Sequence, residues 1–193
     1  MKRNISDYYE FNNAIQNDEL VFLFGTGISS ALTGKPYSWW KWIVDGINGL
    51  HDADQSKELM AELNSDSSTS NMVSVVGKVI KAAKADLSYS SWMHDAFEVN
   101  RITDSKLSES LKKLLLTQVV FATTNYDSLL ERATELDAIS YDNPNVAFSM
   151  LDKHMSTHVL HIHGIYDSFK GIDNIVADEP RRLPAAPRMA SKI

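Results

Sequence analysis

The chain has 193 residues, 44% of them hydrophobic and 23% charged, the size and balance of one globular domain with at most a helical subdomain. A net charge of −6 argues against general binding to nucleic acid or to anionic membranes, since both partners are themselves negative. The absence of cysteine excludes disulfides and thiolate zinc sites, and makes a cytoplasmic location the default expectation.

The first residues, Met1-Lys2-Arg3-Asn4-Ile5-Ser6-Asp7, lack the apolar core of a signal peptide, and no apolar run is long enough to span a bilayer. Residues 6–17 are predicted as a short amphipathic helix, with Tyr8, Phe11 and Ile15 at helical spacing for packing on the domain body. Val21-Phe22-Leu23-Phe24 reads as a strand buried on both faces. Gly25-Thr26-Gly27 breaks it. Glycine there permits a tight turn and a close approach of backbone to ligand, and either Ser29 or Ser30 is placed to cap the helix that follows. Strand, glycine turn and helix start together offer free N–H groups and a positive dipole end to a phosphate. The dinucleotide fingerprint is imperfect, because Ser30 stands at its third glycine position; Asp45, at the distance of a ribose-binding acid, falls in a predicted helix and reads as a solvated charge.

Gly34 and Pro36 stop that helix, and Tyr37-Ser38-Trp39-Trp40-Lys41-Trp42 follows, an aromatic cluster suited either to anchoring the core or to stacking on a nucleobase. Trp39, Ile43 and Ile47 share one helix face. Further helices are predicted over 52–63, over 72–87 with Met72, Val75, Val76, Val79 and Ile80 on one side, around Trp92, Ala96 and Phe97, and over 107–116, entered through Thr103, Asp104 or Ser105. The hydroxyl-rich stretch 64–70 is the most flexible segment expected. A run of helices over about 38–116 is long for one crossover and implies a helical module set over one end of the sheet.

Gln118-Val119-Val120-Phe121-Ala122 is the second buried strand, followed by Thr123-Thr124-Asn125-Tyr126-Asp127 and a helix over 128–136. Residues 139–141 and 175–177 are short strand candidates, and Thr157 to Ile162 is a clear strand ending at His163-Gly164. The tail, 179–193, carries Pro180, Pro184 and Pro187, has no periodicity and is expected to be irregular. The fold class is therefore α/β: a Rossmann-like parallel sheet flanked by helices, with a long helical insert between the first two strands, in one domain over 1–178.

Three strands thus end in polar or glycine clusters, at Gly25-Thr26-Gly27, at Thr124-Asn125-Tyr126-Asp127 and at His163-Gly164. In an open parallel sheet the carboxyl ends share one edge, where ligands bind. Histidine is the natural proton carrier at neutral pH. His161 and His163 compete for that role; Gly164 directly after His163 favours His163 as the group facing an open site. His51, His94, His154 and His158 form no metal-like grouping, and no metal is expected.

Gly25-Thr26-Gly27-Ile28-Ser29, then Gly34 and Pro36, then Thr124-Asn125-Tyr126-Asp127, then His163-Gly164 resemble, in order, the sirtuin pattern of glycine loop, T-x-N-x-D segment and H-G. The likeness is above all to the SIR2-like domains of bacterial anti-phage defence proteins, which cleave NAD+ rather than deacylate proteins. The resemblance implies that Gly25, Thr26, Gly27 and Ser29 lie by the NAD+ pyrophosphate and adjoining ribose, with Thr124 beside them. It implies that Asn125 holds the nicotinamide ribose and the attacking water, that Asp127 fixes the nicotinamide end, and that His163 is the acid–base residue. It further implies NAD+ as substrate and a phage-derived or system-encoded activator. The apolar surface of the helical module and of the segment from Tyr37 to Trp42, beyond what a small sheet needs, predicts a homo-oligomer packed through helices, and the charge and hydropathy predict no membrane or nucleic-acid partner. A non-catalytic nucleotide-binding or assembly module is the alternative. Deacylation fits less well, since deacetylase sirtuins carry a zinc on four cysteines and this chain has none.

Overall fold

The computed structural model describes residues 5–17, 20–98, 100–117, 119–152, 157–168 and 170–176. The apolar runs form four parallel strands: β1 (Val21–Phe24), β2 (Val120–Thr123), β3 (Asp137–Ser140) and β4 (His158–His161). They make one sheet in the order β1-β2-β4-β3. The register aligns Phe24 with Thr123, Thr123 with His161, and His161 with Ser140. The four strands therefore end flush, and everything that follows them emerges at one level on one edge.

One face of this sheet is aromatic, with Phe121 meeting Phe22 and Phe24 edge-on at ring separations of 6.1 and 5.1 Å. It is covered by three helices, α2 (Thr26–Thr33), α7 (Ser105–Leu115) and α8 (Leu129–Thr134), which bury Leu32, Leu111, Leu129 and Leu130 against it. On the opposite face Val120 and Ile139 are buried with Leu160 packed on them. β1 is the edge strand, and its Val21 and Leu23 are 49% and 62% exposed, so this strand is not buried on both faces as its composition suggests. An edge position leaves one flank and part of one face without a covering layer.

The long insert is present. α3 (Trp39–Asn48), α4 (Ala53–Ser65), α5 (Thr69–Ala85) and α6 (Tyr89–Phe97) follow α2 and precede α7 between the first two strands. They build a second core around Ile43, Ile47, Leu63, Val75, Val76, Val79, Trp92 and Met93. Side chains at the N-caps fix the starts: Ser38, Asp52, Ser68 and Asp104 each accept a backbone N–H from the first turn of α3, α4, α5 and α7. The stretch 64–70, expected to be flexible, is a tight connection instead. Only Asp66 to Ser68 lie between the helices, and Asp66 accepts from Ser68 N and Oγ at 2.8 and 2.6 Å. Its hydroxyls are capping groups rather than solvated filler.

Smaller differences have local causes. Helix α8 ends at Thr134 because Glu135 adopts φ 64°, a left-handed cap. α9 (Pro144–Asp152), which the sequence reading did not assign, fills the β3–β4 crossover and opens on Pro144, a natural first helical residue. Residues 175 and 176 are not a strand. Val176 N–H donates to the His163 carbonyl at 2.9 Å, and its own carbonyl accepts the Tyr126 hydroxyl at 3.1 Å. A small antiparallel hairpin forms ahead of it, β5 (Tyr166–Asp167) with β6 (Ile172–Asp173). In α1 (Ile5–Gln16) Phe11 is 42% exposed; the side chains of Tyr8 and Ile15, and the tail 179–193, lie outside the described residues. No described helix is long and apolar enough to cross a membrane.

Candidate functional site

The first element at the flush edge is the glycine loop. α2 begins at Thr26 with Gly25 as its N-cap, so the loop is the helix's own first turn, and neither Ser29 nor Ser30 caps it. Ser30 Oγ instead accepts from Tyr37 N at 3.0 Å. Gly25, Thr26 and Gly27 are all exposed, and a Cβ built on Gly27 would meet nothing within 4 Å. An uncovered helix N-terminus with open space above it suits an anion.

Ser29 is one turn further on, fully buried. Its hydroxyl donates to Asp127 Oδ2 at 2.8 Å and accepts from Asn125 Nδ2 at 2.8 Å. The structure thus places Ser29 beneath the loop, as the post that joins the glycine helix to the segment after β2. Thr124 closes the same junction: its N–H donates to the Phe24 carbonyl at 3.0 Å, and its hydroxyl oxygen would lie 3.8 Å from a Cβ on Gly25.

Asn125 is fixed from every side. Its backbone N–H donates to Thr123 Oγ1 at 3.0 Å, and its carbonyl accepts from His161 Nδ1 at 2.9 Å. Its Nδ2 donates to the Gly25 carbonyl at 3.1 Å as well as to Ser29. A carbonyl only accepts, so the amide can sit in one orientation alone. That leaves Oδ1 buried, with no hydrogen-bond partner among the described residues. A buried orphan acceptor costs on the order of 1–3 kcal/mol and calls for a reason.

Asn125 lines a cleft of about 210 Å3, together with Thr26, Thr124, Asp127 and His163. The remaining wall is aromatic, from Tyr37, Trp39, Trp42, Phe97 and Tyr126. Trp42 stacks on Trp92 at 5.0 Å and lies 5.5 Å from Tyr126, so the cluster at 37–42 anchors the helical core and lines the cleft at once. The core-anchoring reading of that cluster holds, and the same rings face the cleft. The Trp42 Nε1–H is buried without an acceptor among the described residues. Burial, and then the nearby Asp127 charge, push the Tyr37 hydroxyl pKa up to about 12, so it stays a donor.

His163 stands exposed at the rim, beyond the end of β4. Gly164, at φ +88°, turns the chain behind it; a Cβ there would come within 2.1 Å of the Asn174 carbonyl. His161, two residues earlier, lies in β4 on the aromatic face and is fully buried. Its Nε2 bonds the carboxylate of Glu131, a buried residue of α8 that the sequence reading missed. The available signal was a lone acid between Leu129, Leu130 and Ala133 on a short helix. Burial works against a charge on His161, but the Glu131 bond and charge, the Asn125 carbonyl and Asp127 outweigh it, and its pKa is raised.

Asp127 is buried beside this pair. It accepts from Ser29 and from Leu129 N, the latter at 3.0 Å, and burial still lifts its pKa above the usual carboxylate range. Asp45 pairs with Lys41 in α3 as an exposed salt bridge. Among the described residues no group of three His, Asp or Glu is placed to hold a metal ion.

Residues 119–180 match the family model of the SIR2-like domain. The matched segment carries Thr124, Asn125, Asp127, Glu131, His161 and His163, and begins after the glycine loop. SIR2-like domains bind NAD+ and are often NAD-using enzymes.

Proposed function

From the SIR2-like match over residues 119–180 and this edge geometry, we propose an NAD+ glycohydrolase, which takes NAD+ and water to nicotinamide and ADP-ribose. The observation that carries the reading is the single free atom of Asn125. Every other polar atom of that residue is engaged, and Oδ1, buried at a cleft that His163 shares, has no partner among the described residues. An acceptor held so rigidly suits a water or a ribose hydroxyl, either of which must present a proton to it.

The reaction needs little more. Breaking the bond to nicotinamide builds positive charge on the ribose carbon, and nicotinamide departs neutral, so no strong acid is required at the leaving group. A positioned water and preorganised dipoles supply most of the effect. In this reading Asn125 orients the water, and His163 takes its proton or that of a ribose hydroxyl. The open first turn at Gly25 to Gly27 receives the pyrophosphate, with Thr26 and Thr124 beside it. Asp127 and Ser29 hold the floor on which the nicotinamide end rests, and the aromatic wall contacts the ring. Antiviral defence belongs to the same reading and rests on the motif resemblance; self-association rests on the apolar surface of the helical module and of the segment from Tyr37 to Trp42.

A non-catalytic nucleotide-binding module is the second reading. The cleft volume favours it, since about 210 Å3 is below the roughly 300–1,000 Å3 of a pocket for a drug-sized ligand, and so suits one end of a dinucleotide rather than the whole. One assay separates the two. Purified protein is incubated with NAD+ while nicotinamide and ADP-ribose are followed by chromatography. Release of both in equal amounts supports the hydrolase. NAD+ that binds, by calorimetry, and is recovered intact supports the binding module.

A further inference from the structure

His161 and Glu131 lie too deep to meet a substrate, yet they form the most buried titratable pair at the site, at 0% and 6% exposure. We propose that they are positioning residues: the pair holds the Asn125 carbonyl, and through it keeps Asn125 Oδ1 aimed for chemistry. This rests on the hydrolase reading and adds to it two residues that touch no reacting atom.

The chemistry of the two ring nitrogens makes the case. Nδ1 faces the Asn125 carbonyl at 2.9 Å, and a carbonyl only accepts, so Nδ1 must carry a proton. Nε2 faces a Glu131 carboxylate oxygen, which as a carboxylate also only accepts. With Glu131 ionised, both bonds require the doubly protonated ring; with the proton on Glu131 instead, Glu131 donates to Nε2, and in either arrangement Nδ1 donates to Asn125. A neutral ring that kept its proton on Nε2 would turn a lone pair toward the Asn125 carbonyl and push it away. Glu131 thus sets the protonation of His161, and His161 sets the peptide plane after Asn125. The plane before it is held by Thr123 Oγ1, and the side chain by Gly25 and Ser29. Asp127 is the other charge near the ring, and its sign also favours the protonated state. If the His161 bond is lost, one of the restraints on Asn125 goes while the substrate's own contacts stay.

The test uses two double variants that remove the ion pair equally. Placed at position 161, an asparagine amide nitrogen occupies the place of Nδ1, and a glutamine amide nitrogen that of Nε2. His161→Asn with Glu131→Gln keeps a donor toward Asn125; His161→Gln with Glu131→Gln keeps one only toward position 131. Thermal melts should show both losing similar stability. In NAD+ cleavage, the first pair should keep kcat within about threefold of the unmodified chain, and the second should lose about a hundredfold in kcat with KM unchanged, the scale of a misplaced catalytic group. The exchange rate of the Asn125 side-chain amide, by NMR, gives a readout independent of turnover: slow in the first pair, fast in the second. Equal kcat and equal amide protection in the two pairs would overturn the proposal. So would loss of kcat in both alike, which would make His161 a proton carrier or a purely structural residue. If the unmodified chain cleaves no NAD+, the hydrolase reading fails, and the amide exchange still decides whether the pair positions Asn125.

Discussion

The cleft has a floor from the sheet edge and a wall from the helical module, and the two are held by different forces. The floor is a set of directed bonds, in which Ser29, Asp127, His161 and Glu131 lock Asn125 and leave it one free atom. The wall is a stack of rings, Trp42 on Trp92 with Phe97 and Tyr126 against it, whose requirement is volume and fit. Directed bonds fix position to fractions of an ångström but fail singly when one donor is lost. Packed rings spread their cost over many weak contacts and tolerate exchange of one apolar shape for another. Position matters to catalysis and volume to stability, so the floor and the wall should answer mutation in different measurements.

The sharpest separation is Asn125→Ala. It removes the free acceptor and should lower NAD+ cleavage by roughly two to four orders of magnitude, with NAD+ affinity by calorimetry nearly kept. A similar loss in affinity would mean that Asn125 binds rather than orients. Gly27→Val tests the glycine turn. Open space above Gly27 lets the fold accept the side chain, so the melting temperature should hold while NAD+ affinity falls by about tenfold or more. Unchanged affinity would move the pyrophosphate elsewhere.

On the wall, Gly46→Ala should cost about 1–3 kcal/mol in urea denaturation, because its Cβ would come within 2.4 Å of the Trp92 ring and disturb the stack under Trp42. The smallest effect is pH-dependent stability from the floor. His161 has a folded pKa raised above its ordinary 6.5, so its contribution is full below about that pH and is lost as pH rises through the folded value. Melting temperature should therefore decline on the alkaline side of pH 6.5, and the decline should flatten in Glu131→Gln. An unchanged slope in that variant would mean that the pair is not the source.

Much of the edge was legible because strand ends carry local signals. Apolar runs that stop at Gly25, Thr124 and His163 fix where a parallel sheet presents its ligands, whatever the helices do between. Choosing His163 over His161 followed from Gly164 alone, and the φ of +88° shows why that glycine is informative. What was not legible depended on contacts distant in sequence. Ser29 and Asp127 are 98 positions apart, and nothing local shows that the serine faces inward to join them. Glu131 looks like any helical acid until its register with His161 is known. The 64–70 loop misled for the opposite reason: serine and asparagine serve equally in flexible segments and in caps, and only the helices on both sides decide. α9 has Pro144 as a start signal but no strong stripe, and the sheet order that requires a β3–β4 crossover was not readable in advance.

The central claim is that this edge cleaves NAD+ with His163 moving the proton. Its most direct measurement is nicotinamide release by the unmodified chain and by His163→Ala under identical conditions, with NAD+ binding followed in parallel. The account predicts release by the first, a rate lower by roughly two to four orders of magnitude in the second, and affinities within about threefold of each other. Release at an undiminished rate from His163→Ala would contradict it.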